Sequence, residues 1–176
     1  VILPLYSVGI GKALLVVMQK LNLLSFPVFT EEKYGKKPKE FPKCYPNALA
    51  SLLKVQLSKL DVLVQLRRNR VEQYRLALKS DPGVQLPSNS KEAGWLRFPI
   101  QVINPEQVLS LVKKSGILLG NWYHHVIDPT GVNFQAVGYV NGSCLNAQCA
   151  AKRILNLPTN ISKSQADRVL DALNIK

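Results

Sequence analysis

Residues 95–123 read WLRFPIQVINPEQVLSLVKKSGILLGNWY, and this stretch decides the fold. Trp95 to Ile103 carries the aromatic and β-branched residues of a strand. Pro99 lies inside it, and because proline brings no N–H to a ladder, the strand is expected at an edge or at a bulge. Asn104-Pro105-Glu106-Gln107 then reads as a helix start. Asn104 serves as the cap, Pro105 fits the first turn where its missing N–H costs nothing, and Gln107 can reach back to the cap. Lys113 and Lys114 fall in the last turn, at the negative end of the helix, and Gly116 suits the left-handed position just beyond. Ile117 to Tyr123 predicts a second strand.

Upstream, Leu49, Leu53, Leu60, Val64, Val71, Tyr74 and Leu78 form one stripe at helical spacing, which predicts a single long helix from Asn47. Gly83 and Pro87 end it, leaving a polar loop to Gly94. Downstream, Asp128-Pro129-Thr130-Gly131 is a turn opening a long loop that runs to about Cys144. Asn146 to Ile154 reads as a short helix and Ile154 to Leu157 as a third short strand. Ser162-Lys163-Ser164-Gln165 is a capping box for a last helix whose apolar face is Ala166, Val169, Leu170 and Leu173. The sum is an α+β domain over residues 44–176: a long helix plus a small, mainly antiparallel sheet flanked by helices.

Residues 1–43 read differently. Ile10, Leu14, Val17, Leu21 and Leu24 recur at steps of four and three, an amphipathic helix suited to a core or a partner. Residues 25–47 hold Pro27, Gly35, Pro38, Pro42 and Pro46 among lysines and glutamates, which predicts an extended connection. Gly9-Ile10-Gly11-Lys12 lacks the spacing of a phosphate-wrapping loop and is set aside. The chain starts at Val1 and its one methionine, Met18, lies inside an apolar run, so it is expected to be cut from a longer protein.

A hydrophobic fraction of 47% with 19% charged residues is globular composition. Lysines interrupt the longest apolar run well short of the 18 or so residues a membrane span needs. Cys44, Cys144 and Cys149 are too few and too irregular for a disulfide framework or a four-ligand zinc site, so a reducing cytoplasmic setting and no metal are expected, with Cys144 and Cys149 as small buried residues. The net charge of +12 favours anions. Much of it lies in two stretches: Lys12 to Lys43, with seven lysines against three glutamates, and Lys54 to Lys79, with seven basic residues against two acidic. No nucleic-acid motif accompanies it, so solvated faces are the preferred reading and no nucleic-acid partner is expected. Arg67, Arg68 and Arg70 are read the same way, as ion-pairing or boundary residues before a phosphate site.

The succession Asn47-Ala48-Leu49-Ala50, Gln56-Leu57, Arg67-Arg68 with Tyr74, Ser115-Gly116-Ile117, Tyr123-His124-His125, Asn146-Ala147-Gln148, Leu155-Asn156-Leu157-Pro158 and Ser164-Gln165 resembles the C-terminal part of the DegT/DnrJ/EryC1/StrS family. These are pyridoxal-phosphate-dependent sugar aminotransferases of fold type I. The resemblance implies the small C-terminal domain of a cytoplasmic homodimer. Such an enzyme moves an amino group from an amino-acid donor onto a keto-sugar, usually nucleotide-linked, as in polysaccharide biosynthesis. The implied role of this part is to supply dimer contacts and one wall of the substrate site. That wall is Asn121, Trp122, Tyr123, His124 and His125, whose imidazoles can donate to oxyanions and whose aromatic faces can stack on sugars and bases.

The chain departs from the family pattern in three places. The cofactor lysine motif and its acidic partner do not occur in these residues, so the chain alone is expected to be inert in transamination, with pyridoxal phosphate held by the parent. The choice between an aminotransferase and the family's dehydratases turns on that same lysine position. Where the family has an Asn-aromatic-Arg-Met stretch before the long helix, this chain has Pro42-Lys43-Cys44-Tyr45, and no cofactor-binding residue carries over. Residues 1–41 match nothing in the pattern, and the segment 1–43 is expected to be a subgroup insertion. The competing reading is a non-enzymatic basic module docking an anionic membrane or polyanion. A charge-reversed set at Lys33, Lys36, Lys37 and Lys39 would then abolish a strongly salt-dependent binding.

Overall fold

The computed structural model describes residues 10–21, 28–39, 41–42, 44–88 and 93–173. In chain order its elements are α1 (Ile10–Lys20), α2 (Thr30–Lys33), α3 (Asn47–Leu57), α4 (Leu60–Leu78), β1 (Val84–Gln85), β2 (Arg97–Val102), α5 (Pro105–Lys114), α6 (Leu145–Ala151), β3 (Ile154–Pro158) and α7 (Lys163–Leu173). The chain divides into two compact units, one of residues 1–41 with 131–139 and one of residues 42–130 with 140–176.

In the first unit, α1 forms over the predicted apolar repeat, with Ile10, Leu14, Val17 and Leu21 all exposed. Leu24 lies outside the described residues. The connection expected to be extended contains the one-turn helix α2, whose start is tied by the Phe29 N–H donating to Glu32 Oε2 at 2.7 Å. Gly35, at φ 67°, ends that turn and sits against the carbonyl oxygen of Ala136, where a Cβ would come within 3.0 Å. The Asn133 N–H donates to the Lys33 carbonyl at 2.9 Å, and Phe134 meets Tyr139 edge-on at 5.1 Å.

The second unit holds a three-stranded antiparallel sheet in the order β1-β2-β3. Alternation along β2 sends Phe98, Ile100 and Val102 to one face, where Leu155 and Leu157 of β3 join them. Onto that face pack Val71, Tyr74 and Leu78 of α4, Val108 and Val112 of α5, and Ala166, Val169 and Leu173 of α7. Tyr74 stacks on Phe98 at 6.2 Å and its hydroxyl donates to the Pro158 carbonyl at 2.9 Å, so the buried phenol is not left without a partner. Arg75 lays its guanidinium over Phe98 and Trp95 while donating to the Pro87 and Ser88 carbonyls, which closes the loop after β1 onto the core.

Several helix ends follow from their residues. Ser162 and Gln165 exchange hydrogen bonds, 2.9 Å from the Ser162 N–H to Gln165 Oε1 and 3.2 Å from the Gln165 N–H to Ser162 Oγ, which is the predicted capping box. At the end of α5, Gly116 at φ 75° donates to the Lys113 carbonyl and Ile117 to the Val112 carbonyl, so the left-handed glycine closes a Schellman motif.

Four expectations are corrected. The single long helix is two, because at Ser58 the hydroxyl bonds back to the Val55 carbonyl at 2.9 Å and the Lys59 N–H shifts to the Gln56 carbonyl, tightening the turn. The loop beyond Gly83 contains β1, started by the Gly83 N–H donating to Asp81 Oδ1. β2 is the central strand, and Pro99 is tolerated there because β1 reaches only Gln101 and Val102, leaving β2 locally an edge at the proline. Ile117–Tyr123 is not a strand: only Gly120 bridges to Asn156, and the Trp122 carbonyl is taken by the Asn156 side chain instead of by the backbone ladder. Asn104 does stand at the cap of α5, with Pro105 next, but its side chain makes no cap hydrogen bond.

Candidate functional site

The same alternation that sends Phe98, Ile100, Leu155 and Leu157 into the core leaves the other face of the sheet to Arg97 and Pro99 of β2 and Ile154 and Asn156 of β3. Neither α4, α5 nor α7 covers that face. It is walled instead by the segment after Gly120 and by the small residues of α6. Together they form an open cavity of about 410 Å³ lined by Arg97, Trp122, Tyr123, His125, Ala150 and Asn156, among others.

Asn156 organises the wall. Its backbone exchanges hydrogen bonds with Gly120, 2.7 Å from its N–H to the Gly120 carbonyl and 3.3 Å in return. Its side-chain amide donates to the Trp122 carbonyl, so one buried residue holds both ends of the bend that presents the aromatic pair. Trp122 and Tyr123 are 59% and 71% exposed, so adjacent aromatic faces stand open to solvent beside the cavity. Arg97 sits over the Trp122 ring at 5.2 Å, which orients the indole and holds a positive charge at the mouth. A guanidinium beside an aromatic face, with Tyr123, His125 and small alanines opposite, suits a polar ring bearing an anionic group.

The two histidines belong to a second local arrangement. His124 Nδ1 lies 3.7 Å from Asp128 Oδ1, while the other Asp128 oxygen accepts from the His125 N–H at 3.4 Å. Both rings face the Thr130 hydroxyl, His125 Nε2 at 3.2 Å and His124 Nε2 at 3.4 Å, with ring centroids 4.2 Å apart.

Of the five residues singled out in the sequence, Trp122, Tyr123 and His125 line the cavity. His124 turns toward Asp128 and Thr130, and Asn121 is half-buried outside the lining. Sequence reasoning missed Arg97 and Asn156, although a period-two reading of β2 and β3 places both on the face away from Phe98 and Leu155. Of the arginines singled out on α4, Arg68 Nε donates to the Ala93 carbonyl at 3.4 Å and Arg70 Nη1 to Gln73 Oε1 at 2.6 Å. Cys144 and Cys149 are exposed rather than buried, because α6 buries none of its residues. Among the described residues no helix is long and apolar enough to cross a membrane.

No curated protein matches the chain. Among solved structures it is similar to S. venezuelae DesV in complex with a ketimine intermediate, at 24% identity and a TM-score of 0.63, covering 80% of this chain and 40% of that one. It is similar to a DegT DnrJ EryC1 StrS aminotransferase from Brucella abortus, at 21% identity and a TM-score of 0.59, over 70% of this chain and 34% of that one. A third is the GDP-4-keto-6-deoxy-D-mannose-3-dehydratase of E. coli with bound hydrated PLP, at 20% identity and a TM-score of 0.57, over 68% and 33%. These likenesses show the fold, and the chain spans two fifths or less of each. The model of the DegT/DnrJ/EryC1/StrS aminotransferase family matches residues 45–174, from the residue before the α3 cap through the last turn of α7. The chain therefore belongs to the DegT/DnrJ/EryC1/StrS aminotransferase family.

Proposed function

We propose that this chain supplies the C-terminal, small-domain part of a pyridoxal-phosphate-dependent enzyme acting on a nucleotide-linked keto-sugar, with the cavity under Trp122 as one wall of its substrate site. The observation that carries this reading is the convergence of Arg97, Trp122, Tyr123 and His125 on one cavity of about 410 Å³ within the stretch matched by the family model. The aromatic faces stack against a sugar or base, Arg97 takes a phosphate oxygen, and His125 donates to a ring hydroxyl. In the parent, transfer of an amino group from an amino-acid donor is the favoured reaction, loss of water from the sugar the alternative, and a homodimer the assembly.

The residues of this cavity do not fit the cofactor itself. No lysine lines it, so it offers no amine to hold the cofactor's aldehyde. Its part is to bind and orient the sugar and to exclude water from it.

The test is turnover by the full-length enzyme with a panel of nucleotide-linked keto-sugars and glutamate. Release of 2-oxoglutarate matched by amino-sugar supports the reading, and a deoxygenated sugar with no amino group gained identifies the dehydratase. Trp122→Ala is expected to raise KM about tenfold or more with a smaller change in kcat, since losing one stacking face costs on the order of 1–3 kcal/mol. Unchanged KM for Trp122→Ala and Arg97→Ala together would remove the cavity from the substrate site.

A further inference from the structure

We propose that His124, His125 and Asp128 bind one divalent transition-metal ion, Zn²⁺ or Co²⁺, in the loop that follows the aromatic pair. One ligand atom from each of the three residues lies within 4.8 Å of the others. Two imidazoles and one carboxylate make a nitrogen-rich set of borderline softness, which suits Zn²⁺ or Co²⁺ and is poor for Mg²⁺ or Ca²⁺.

The geometry is partly built. Ligands about 2.0–2.2 Å from a tetrahedral ion stand roughly 3.4 Å apart. The His124 Nδ1 to Asp128 Oδ1 separation, 3.7 Å, is already close to that. The carboxylate is steadied by the His125 N–H on its second oxygen, and the two rings are drawn together over Thr130 Oγ1. Bringing the widest pair into range takes a movement of at most about 1.4 Å, and His124, the exposed member of the three, is placed to make it. Three protein ligands leave a fourth position for water or a substrate oxygen, as in open zinc sites. Because His125 also lines the cavity, an ion held there stands at the cavity rim. The proposal does not depend on the sugar reading, since it rests on the loop residues alone.

The test is titration of the purified, metal-free protein with Co²⁺, followed by visible absorption, and with Zn²⁺ by calorimetry. Tetrahedral Co²⁺ absorption at one ion per chain is expected, displaced by Zn²⁺ and unaffected by excess Mg²⁺. His124→Ala and Asp128→Asn should each weaken that binding at least tenfold, whereas a chain with Cys44→Ser, Cys144→Ser and Cys149→Ser should keep it. Zn²⁺ should raise the melting temperature of the native protein above that of its metal-free form, and leave the melting temperature of His124→Ala at its own metal-free value. Absence of binding, binding that survives both His124→Ala and Asp128→Asn, or binding lost only with the cysteines would overturn the proposal.

Discussion

Helices α3 and α4 carry the same kind of leucine-rich repeat, yet the C-terminal half of α4 buries Val71, Tyr74 and Leu78 while α3 buries nothing. Leu52 and Leu53 of α3 are 61% and 45% exposed. The difference is not in propensity or periodicity. It lies in whether a sheet face stands opposite: Phe98 meets Tyr74 within one core, whereas Leu49 and Leu53 join no core among the described residues. A repeat at helical spacing specifies a face, and the partner for that face is specified elsewhere in the fold.

The largest break in this comparison is expected from Phe98→Ala. It removes the ring that Tyr74 stacks on and that Trp95 meets edge-on at 5.5 Å, leaving a cavity between sheet and helices. Urea unfolding should show a loss of about 3–5 kcal/mol. A loss below ~1 kcal/mol would mean the sheet and α4 do not share one core.

Next comes Tyr74→Phe, expected to cost about 1–2 kcal/mol because the Pro158 carbonyl loses its donor. Burial holds the Tyr74 phenol neutral and pushes its pKa well above the usual tyrosine range, with the Arg70 charge pulling more weakly the other way. The sign of the pH effect follows. In the unfolded chain the phenol ionises near about pH 10 while the folded one does not, so above that pH the unfolded state is favoured. Stability is whole below about pH 10 and falls as pH rises through it, by at most ~1.4 kcal/mol per unit for this one group. Tyr74→Phe should flatten that alkaline slope, and an unaltered slope would assign it to other groups.

The caps show how far residues alone can be read. Ser162 and Gln165 form the box their spacing predicts, so Ser162→Ala should cost about 1 kcal/mol. Asn104 stands at the cap of α5 with the right neighbours and makes no side-chain bond there, so Asn104→Ala should cost no more than a few tenths of a kcal/mol. Local chemistry was legible at Gly116, at Ser162 and along α7, where a few adjacent residues decide the outcome. It was not legible at Ser58, where one hydroxyl competing for a carbonyl divides the long helix, nor at Pro99, whose central strand depends on how short β1 is. The site divides the same way. Trp122, Tyr123 and His125 stand out as residue types, whereas Arg97 and Asn156 become visible only when strand alternation and the Gly120 bridge place them on the same face. Asp128 joins the histidines through a loop bend with no periodic signal at all.

The smallest effect on stability, and the sharpest on the comparison, is expected from α3. Leu52→Gln with Leu53→Gln removes apolar side chains that are exposed and lie outside the core, so unfolding of the chain by urea should shift by no more than about 0.5 kcal/mol. Association should change instead. A run of exposed leucines from Leu49 to Leu60 is an apolar patch that water penalises, and the unaltered chain is expected to self-associate in sedimentation experiments while the double variant stays monomeric. In the full-length enzyme, where the proposed large domain or second subunit would cover α3, the same pair should cost at least as much as Tyr74→Phe. Equal, small costs in both settings would mean that α3 remains bare in the complete protein, and that its repeat serves no internal face.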